Sequence, residues 1–425
     1  MKFSEMLSIP DYELKEPFYI EDIKWTSKHN WDLEDKSKRR DYIEIHDVTL
    51  RDGDQTPGSV FLEDERVRIA DALAELKIPR IEAGMPVVSK VVENAMRRMV
   101  AKKYHHTKIF GFARALEKDV ELCQDIGCDG VIVEYCVNPF TNKYAYQNTP
   151  KSIMDKLVSA ISKAHEYGMY TVFMGWDWFR TPIEFTKPLM EELVQNVSLD
   201  GLAMVDTFGS ATPDAVEEMF RLFKEGFPEL RLEFHGHNDI SCGVANCLAA
   251  VWGGAEVVHT AMNGLGDRCG NVPTEELAVL LEMHKGINTG LDLKQIAPTC
   301  ELVSQISNVP FHDNKPVMGD RPYKVEAGIL MDIAWKLNQN EDKKVTNFMI
   351  SVDPKVVGRE DEVNYVLGKN SGKKSVQLFL EKYNLEATDE QIDKILQLII
   401  EEAMVRKGLV SESVFLKLVD KVINV

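Results

Sequence analysis

Residues 43–55 read IEIHDVTLRDGDQ. Isoleucine and valine alternate with polar residues for one short run, and the chain then turns polar at Thr49-Leu50-Arg51-Asp52-Gly53-Asp54-Gln55. A period of two marks a strand, and the polar burst marks its C-terminal end. An amphipathic stretch from Leu62 to Leu76 follows, then a second short apolar run, PRIEAG at 79–84. Moving outward, the same alternation recurs with runs at 108–113, 130–136, 170–175, 201–206, 231–236 and 256–261. Eight strand–helix units in about 245 residues match the arithmetic of a closed (β/α)8 TIM barrel, an α/β fold whose active sites gather at the strand C-terminal ends. We place this catalytic barrel at residues 42–290. An open doubly wound sheet is the alternative, and polar clusters at so many strand ends favour the barrel.

After residue 290 the alternation stops. Residues 291–370 read as a helical subdomain broken by Pro310, Pro316 and Pro322, and residues 371–425 as a second one, with an amphipathic helix over Asp389–Lys407. Residues 1–41 read as an N-terminal arm whose basic cluster, Lys36-Ser37-Lys38-Arg39-Arg40, is a solvated linker. The formal net charge is −18, which disfavours nucleic acid and anionic membrane as partners because the long-range field repels phosphate. No apolar run reaches the roughly 18–20 residues of a membrane span, and the start lacks the apolar segment of a signal peptide, so a cytoplasmic location is expected. The cysteines at 123, 128, 136, 242, 247, 269 and 300 form no CxxC pair, so neither a disulfide framework nor a zinc ribbon is indicated.

The chemistry-bearing residues sit at three strand ends. Strand 7 ends in His235-Gly236-His237-Asn238-Asp239, and strand alternation puts both imidazoles on one side, within reach of one ion. The loop after strand 8 reads Asn263-Gly264-Leu265-Gly266-Asp267-Arg268-Cys269-Gly270-Asn271. It looks like a phosphate cradle, but its spacing is not GxGxxG and it opens no βαβ unit, so a dinucleotide site is not expected. In a closed barrel strand 8 lies beside strands 1 and 7, so Asp52, His235, His237 and Asn271 converge. One carboxylate, two imidazoles and one amide carbonyl make a mixed N/O site with open positions, suited to Mn²⁺, Zn²⁺, Co²⁺ or Mg²⁺. Open positions imply a bound substrate.

The strings TLRDGDQ (49–55), FHGHND (234–239) and NGLGDRCGN (263–271), in this order, resemble the DRE-TIM metallolyases and, within them, the 2-isopropylmalate, citramalate and homocitrate synthases. Further likeness lies in EAGMPV (82–87), ARALEKDVE (113–121), RTP (180–182), MVDTFGSATP (204–213) and LGKNSG (367–372). The resemblance implies a divalent metal on Asp52, His235 and His237, with Asn271 as fourth protein ligand. It implies that a 2-oxo acid chelates this metal, that Arg51 stabilises the oxyanion, and that Thr207 and Gln55 bind the substrate. The implied activity is an acyltransferase: a Claisen-type condensation of an acyl-CoA, acetyl-CoA by default, with a 2-oxo acid to give a 2-hydroxy dicarboxylic or tricarboxylic acid. The alternative runs the bond the other way, as an aldolase or lyase cleaving a 2-hydroxy acid or an acyl-CoA. A homodimer is implied as well.

Departures fall in the acyl-activating half. Where the synthases carry Glu before Asp at the end of strand 5, this chain has Trp176-Asp177. Where the family has His residues, this chain has Val325-Glu326-Ala327-Gly328-Ile329-Leu330 and Asn370. Losing one proton-transfer residue typically costs roughly 10²–10⁴ in rate, so replacements are expected. Candidates for acid/base work are Glu326, Asp177 and Cys269, with His312, Tyr323 and Glu134 also available. Glu134 and Trp176 are expected to line the substrate pocket, and Trp176 with Trp178 to reshape it.

Overall fold

The computed structural model describes residues 40–338, 350–359 and 363–423, with short pieces of the arm at 19–20, 24–27, 29–32, 35 and 38. Most of the basic cluster, at 36, 37 and 39, lies outside the described residues, as do residues 339–349 of the first helical subdomain. The chain divides into two compact units, one within 29–311 and the other drawn from 312–425 and from residues before 29.

The first unit is a closed barrel of eight parallel strands. They are β1 (Glu44–Asp47), β2 (Arg80–Gly84), β3 (Lys108–Arg114), β4 (Gly130–Cys136), β5 (Tyr170–Trp176), β6 (Gly201–Asp206), β7 (Arg231–Gly236) and β8 (Val257–Thr260). β8 closes the ring, with Val257 opposite Glu44 of β1 and Glu233 of β7. Helices fill the crossovers, and each turns an apolar stripe inward. In α1 (Glu63–Glu75) that stripe is Val67, Ile69, Ala70 and Leu73. Nothing of the open-sheet alternative remains.

The barrel interior is divided in two. On the β3–β6 side it is apolar, built from Phe110, Phe112, Ile132, Val172, Met174, Ala203 and Val205, as barrel layers of branched and aromatic side chains predict. The β7–β8–β1–β2 side is ionic. Arg80 of β2 forms a two-pronged pair with Glu233 of β7, at 2.8 and 3.2 Å, although two strands separate them. Such a contact passes through the barrel centre. His259 donates from Nε2 to Glu233 and His46 donates from Nε2 to Glu82, both at 2.8 Å, and the two imidazoles stack at 4.3 Å. Burial keeps both rings uncharged, with His259 held down at about 3 despite its carboxylate partner.

Asp47, closing β1, is buried and accepts hydrogen bonds from the Thr49 N–H at 2.9 Å and the Thr49 hydroxyl at 3.0 Å. Burial nevertheless pushes its carboxyl up to about 7 from the ordinary 3.8. A raised acid contributes stability that is fully present below its unfolded value and is lost as pH rises through its folded one. Asp47→Asn, neutral throughout, is therefore expected to gain on the wild type by on the order of 3 kcal/mol as pH rises from about 4 to 8, beyond any constant offset. Paired thermal melts across that range check it.

The second unit is helical. Its α-helices include Lys373–Lys382, Asp389–Arg406 and Glu412–Ile423, which close on a core holding Phe379, Ile395, Ile399, Phe415 and Val419. The Asp389 helix starts where Thr388 and Gln391 cap each other reciprocally. One feature unexpected from the sequence is a short parallel pairing of Lys324–Val325 with Asn364–Tyr365.

Candidate metal centre and substrate pocket

The turn after β1 is pinned by a single acceptor: the backbone N–H groups of Arg51, Asp52 and Gly53 all donate to the Val48 carbonyl, at 3.0, 2.9 and 3.1 Å. The Thr49 hydroxyl accepts from the Met262 N–H at 2.8 Å and so ties this turn to the end of β8. That fixes Asp52 at the mouth of the barrel. His235 projects from β7 and His237 from just beyond it, with their Nε2 atoms 3.1 and 3.7 Å from Asp52 Oδ2. Arg51 Nη1 donates to the same oxygen at 3.0 Å.

The glycine-rich loop supplies the last member. Gly270 has φ +80°, and a Cβ there would overlap the Gly264 carbonyl; Gly266 has φ +150°, and a Cβ there would fall on the Asn271 amide. Only glycine permits this fold-back. It pairs Asn271 with His237 in a bridge and leaves the Asn271 amide nitrogen donating to the Leu265 carbonyl at 2.8 Å. The glycines thus shape a ligand-bearing turn.

Among the described residues, Asp52 Oδ1 and Asn271 Oδ1 are buried without a hydrogen-bond partner, as is Arg51 Nη2. Orphaned buried oxygens on one carboxylate and one amide, with two imidazole Nε2 atoms converging on the same carboxylate, are what a bound cation would satisfy. The Asp52, His235 and His237 ligand atoms lie within 4.8 Å of one another. Burial opposes ionisation of Asp52, but Arg51 and the two imidazoles outweigh it and hold the carboxyl well below the usual range. Burial, reinforced by His235, holds His237 down at about 4, so its ring is neutral and able to ligate. His46, Glu82 and His259 form a second close group, but both Nε2–H groups there are already committed to carboxylates.

Glu82 was not singled out as a site residue in the sequence, and it proves central. It binds the Arg51 Nε–H through one carboxylate oxygen and His46 through the other. Burial raises its carboxyl, yet Arg51 and His46 overcome this and hold it near 2. Arg51 is therefore clamped between Glu82 and Asp52, with its guanidinium 4.4 Å from the Phe112 ring centre. The signal was a Glu at an inward position of an apolar strand, RIEAG.

The other expected site residues are placed as follows. The Thr207 hydroxyl, after β6, accepts from the Asp177 N–H at 2.8 Å, and its carbonyl accepts from Arg268 at 2.6 Å. Gln55 ends the turn and is exposed. Trp176 ends β5 edge-to-face with Phe208 and, with Glu134, Tyr135, Tyr146 and Arg114, lines a cavity of about 570 Å³. Cys269 is exposed on its loop.

Three acid/base or pocket readings meet opposing geometry. Asp177 is buried with φ +64° and accepts from Arg180 through both oxygens, at 2.7 and 2.9 Å, and from Asn138 at 2.8 Å. Three of its acceptor sites are thus taken, which holds the carboxylate in place. Trp178 is fully buried against Phe223 and Gly175 and belongs to the core. The Tyr323 hydroxyl donates to the Val317 carbonyl at 2.7 Å. Glu326 lies in the second unit, where its carboxylate accepts from the Asn370 N–H at 2.9 Å; His312 is exposed there.

Comparison with known proteins gives concordant matches. A homocitrate synthase of Sulfolobus acidocaldarius is 32% identical over 374 residues, 87% of this chain and 77% of that protein. One from Saccharolobus islandicus is 32% identical over 367 residues, 86% and 77% of the two chains. The crystal structure of the Bacillus subtilis HMG-CoA lyase shares the fold, with a TM-score of 0.58 at 19% identity over 64% of this chain and 96% of that one. The HMGL-like family model matches residues 42–303, a span that opens at β1 and takes in Arg51, Asp52, Glu82, both histidines and Asn271; the chain belongs to the HMGL-like family, the DRE-TIM metallolyases its motifs resemble.

Proposed function

We propose that this protein is a divalent-metal-dependent acyltransferase that condenses acetyl-CoA, or a close acyl-CoA, with a 2-oxo acid to give a 2-hydroxy polycarboxylic acid. The observation that carries the reading is the convergence of the His235 and His237 Nε2 atoms on Asp52, with unpartnered buried oxygens on Asp52 and Asn271 and an unpartnered Arg51 Nη2. Likeness to homocitrate synthases over 86–87% of the chain supports the reaction type. Asp52, His235, His237 and Asn271 would hold the cation, which would supply Lewis acidity toward the oxo-acid carbonyl.

The chain's own residues do the rest. Arg51, kept rigid by Glu82 and Asp52, aims its remaining N–H at the site where carbonyl oxygen gains negative charge. A preorganised donor of that kind is worth roughly 10²–10³ in rate. The Thr207 hydroxyl accepts from Asp177 and keeps its own hydrogen for the substrate carboxylate. Arg180 and Arg268 flank Phe208 at 3.5 and 5.5 Å, each paired with a carboxylate, Asp177 and Asp239.

Thiol release with acetyl-CoA and a panel of 2-oxo acids tests the reading. We expect CoA release only when an oxo acid is present. EDTA should abolish it, and one or more of Mn²⁺, Zn²⁺, Co²⁺ and Mg²⁺ should restore it, which also identifies the metal. Release indifferent to EDTA, or cleavage of 2-hydroxy acids with no condensation, would overturn the proposal.

A further inference from the structure

We infer that Glu134 is the base that removes the α-proton of the acyl donor, whose acyl end occupies the cavity bounded by Glu134 and Trp176. The inference rests on the condensation proposed above and assigns the residue that starts it.

Chemistry of this type needs a carboxylate or imidazole with a lone pair to spare, at the mouth of the barrel and next to the carbonyl-activating centre. The position where a Glu was expected is Trp176, an indole with no basic lone pair. The remaining acids at the strand ends are nearly all committed. Asp177 is bound by Arg180 and Asn138, Glu82 by Arg51 and His46, and Asp206 by the Ser210 and Ala211 N–H groups. Asp52 belongs to the metal cluster. The Glu134 carboxylate, among the described residues, has neither a hydrogen bond nor an ion pair.

Its position suits the task. Glu134 is the fifth residue of β4, paired in register with Arg114 of β3 and Met174 of β5, and it borders the cavity of about 570 Å³. That volume lies within the roughly 300–1,000 Å³ of small-molecule sites. The Glu134 charge is felt by Arg51, Asp52 and Glu82. Glu134 therefore lines the cavity within charge range of the activating centre. Burial pushes its carboxyl up to about 7, against the pull of Arg51, and a base matched to neutral pH transfers protons best. The Cys136 thiol in the same cavity is pushed up to about 11 by burial and so stays protonated at neutral pH.

The C–H bond at the acyl α-carbon breaks, the proton goes to a Glu134 carboxylate oxygen, and the electron pair stays on carbon as the enolate. That pair forms the new C–C bond to the ketone carbon of the oxo acid, whose C=O π electrons move onto oxygen, where a proton from solvent completes the hydroxyl. Glu134 returns its proton to water. Water then cleaves the thioester to carboxylate and free CoA thiol.

Glu134→Gln, near-isosteric, tests this with acetyl-CoA and the best oxo acid from the panel. We expect kcat to fall roughly 10²–10⁴-fold, with metal content and oxo-acid KM unchanged and a larger primary isotope effect on deuterated acetyl-CoA. Glu134→Asp should recover part of kcat. A merely structural role would lower metal content and oxo-acid affinity together with kcat and leave the isotope effect alone, and that result overturns the inference. So does a Glu134→Gln enzyme within about threefold of an active wild type, which leaves the condensation reading standing. A wild type that releases no thiol with any oxo acid removes both.

Discussion

Asp52→Asn is expected to lose both metal and turnover while keeping the fold. Asp52 Oδ2 takes the Arg51 Nη1–H at 3.0 Å and lies 3.1 Å from His235 Nε2, while Oδ1 is buried with no partner. An amide of the same shape removes the negative charge and turns an N–H toward either a cation or an imidazole. Disturbing outer-shell partners of a metal ligand typically costs about 10–100-fold in affinity, so replacing the charged ligand itself should exceed about 100-fold. Turnover should fall by roughly 10³-fold or more, because Arg51 also loses the partner that aims it. The fold survives because Arg51 keeps Glu82. Elemental analysis after dialysis, thiol release and circular dichroism check the three parts. A variant that retains a full equivalent of metal and turns over within about threefold of the wild type would place the cation elsewhere.

Strand boundaries were legible because each apolar run is short and bounded by glycine, proline or a polar cluster. β4, β6 and β7 fall at the expected residues, and the rest differ by a few at their ends. The grouping of Asp52, His235, His237 and Asn271 was also readable, since ring closure alone puts the ends of strands 8, 1 and 7 side by side. The ionic half of the interior was not. A histidine or glutamate inside a strand such as IEIHD or RLEFHG reads locally as half-exposed alternation, and only closure reveals that Arg80 meets Glu233 from two strands away. The pairing of Asp177 is hidden in the sequence for a similar reason. Its availability depended on Arg180, three residues on, and on a left-handed backbone at Asp177 that turns the carboxylate back toward it. Glu134 carried the opposite ambiguity, because nothing local announces that a carboxylate will have no partner.

Arg80→Met is expected to be the most destabilising single change in the barrel. Arg80 is almost fully buried, pairs with Glu233 through two hydrogen bonds, and lies 4.4 Å from the Phe110 ring centre and 5.3 Å from that of Tyr170. Methionine fills much of the volume but leaves Glu233 with only the neutral His259 as a donor. Removing one partner of a buried pair costs about 3–5 kcal/mol, a large part of the roughly 5–15 kcal/mol that holds a typical domain folded. The pH dependence carries the sign. In the wild type Arg80 and His259 overcome burial and hold the Glu233 carboxyl well below its usual 4.5, so this stability is present above that value and lost as pH falls below it. In Arg80→Met burial wins instead, the carboxyl rises above 4.5, and the variant is penalised most at neutral pH. The gap between the two proteins in urea midpoints should therefore narrow from pH 7 toward pH 4. Adding Glu233→Gln should recover part of the loss, since the uncompensated charge disappears, and a double-mutant cycle measures how much. A loss below about 1 kcal/mol, or a gap that does not change with pH, would mean that water or a shifted side chain already compensates Glu233. Arg51 is held by Glu82 and Asp52, and neither contacts Arg80 through a hydrogen bond. The surviving folded fraction should therefore keep its kcat: the Arg80 pair supports the ring on which the catalytic clamp is mounted, and the clamp aims the charge.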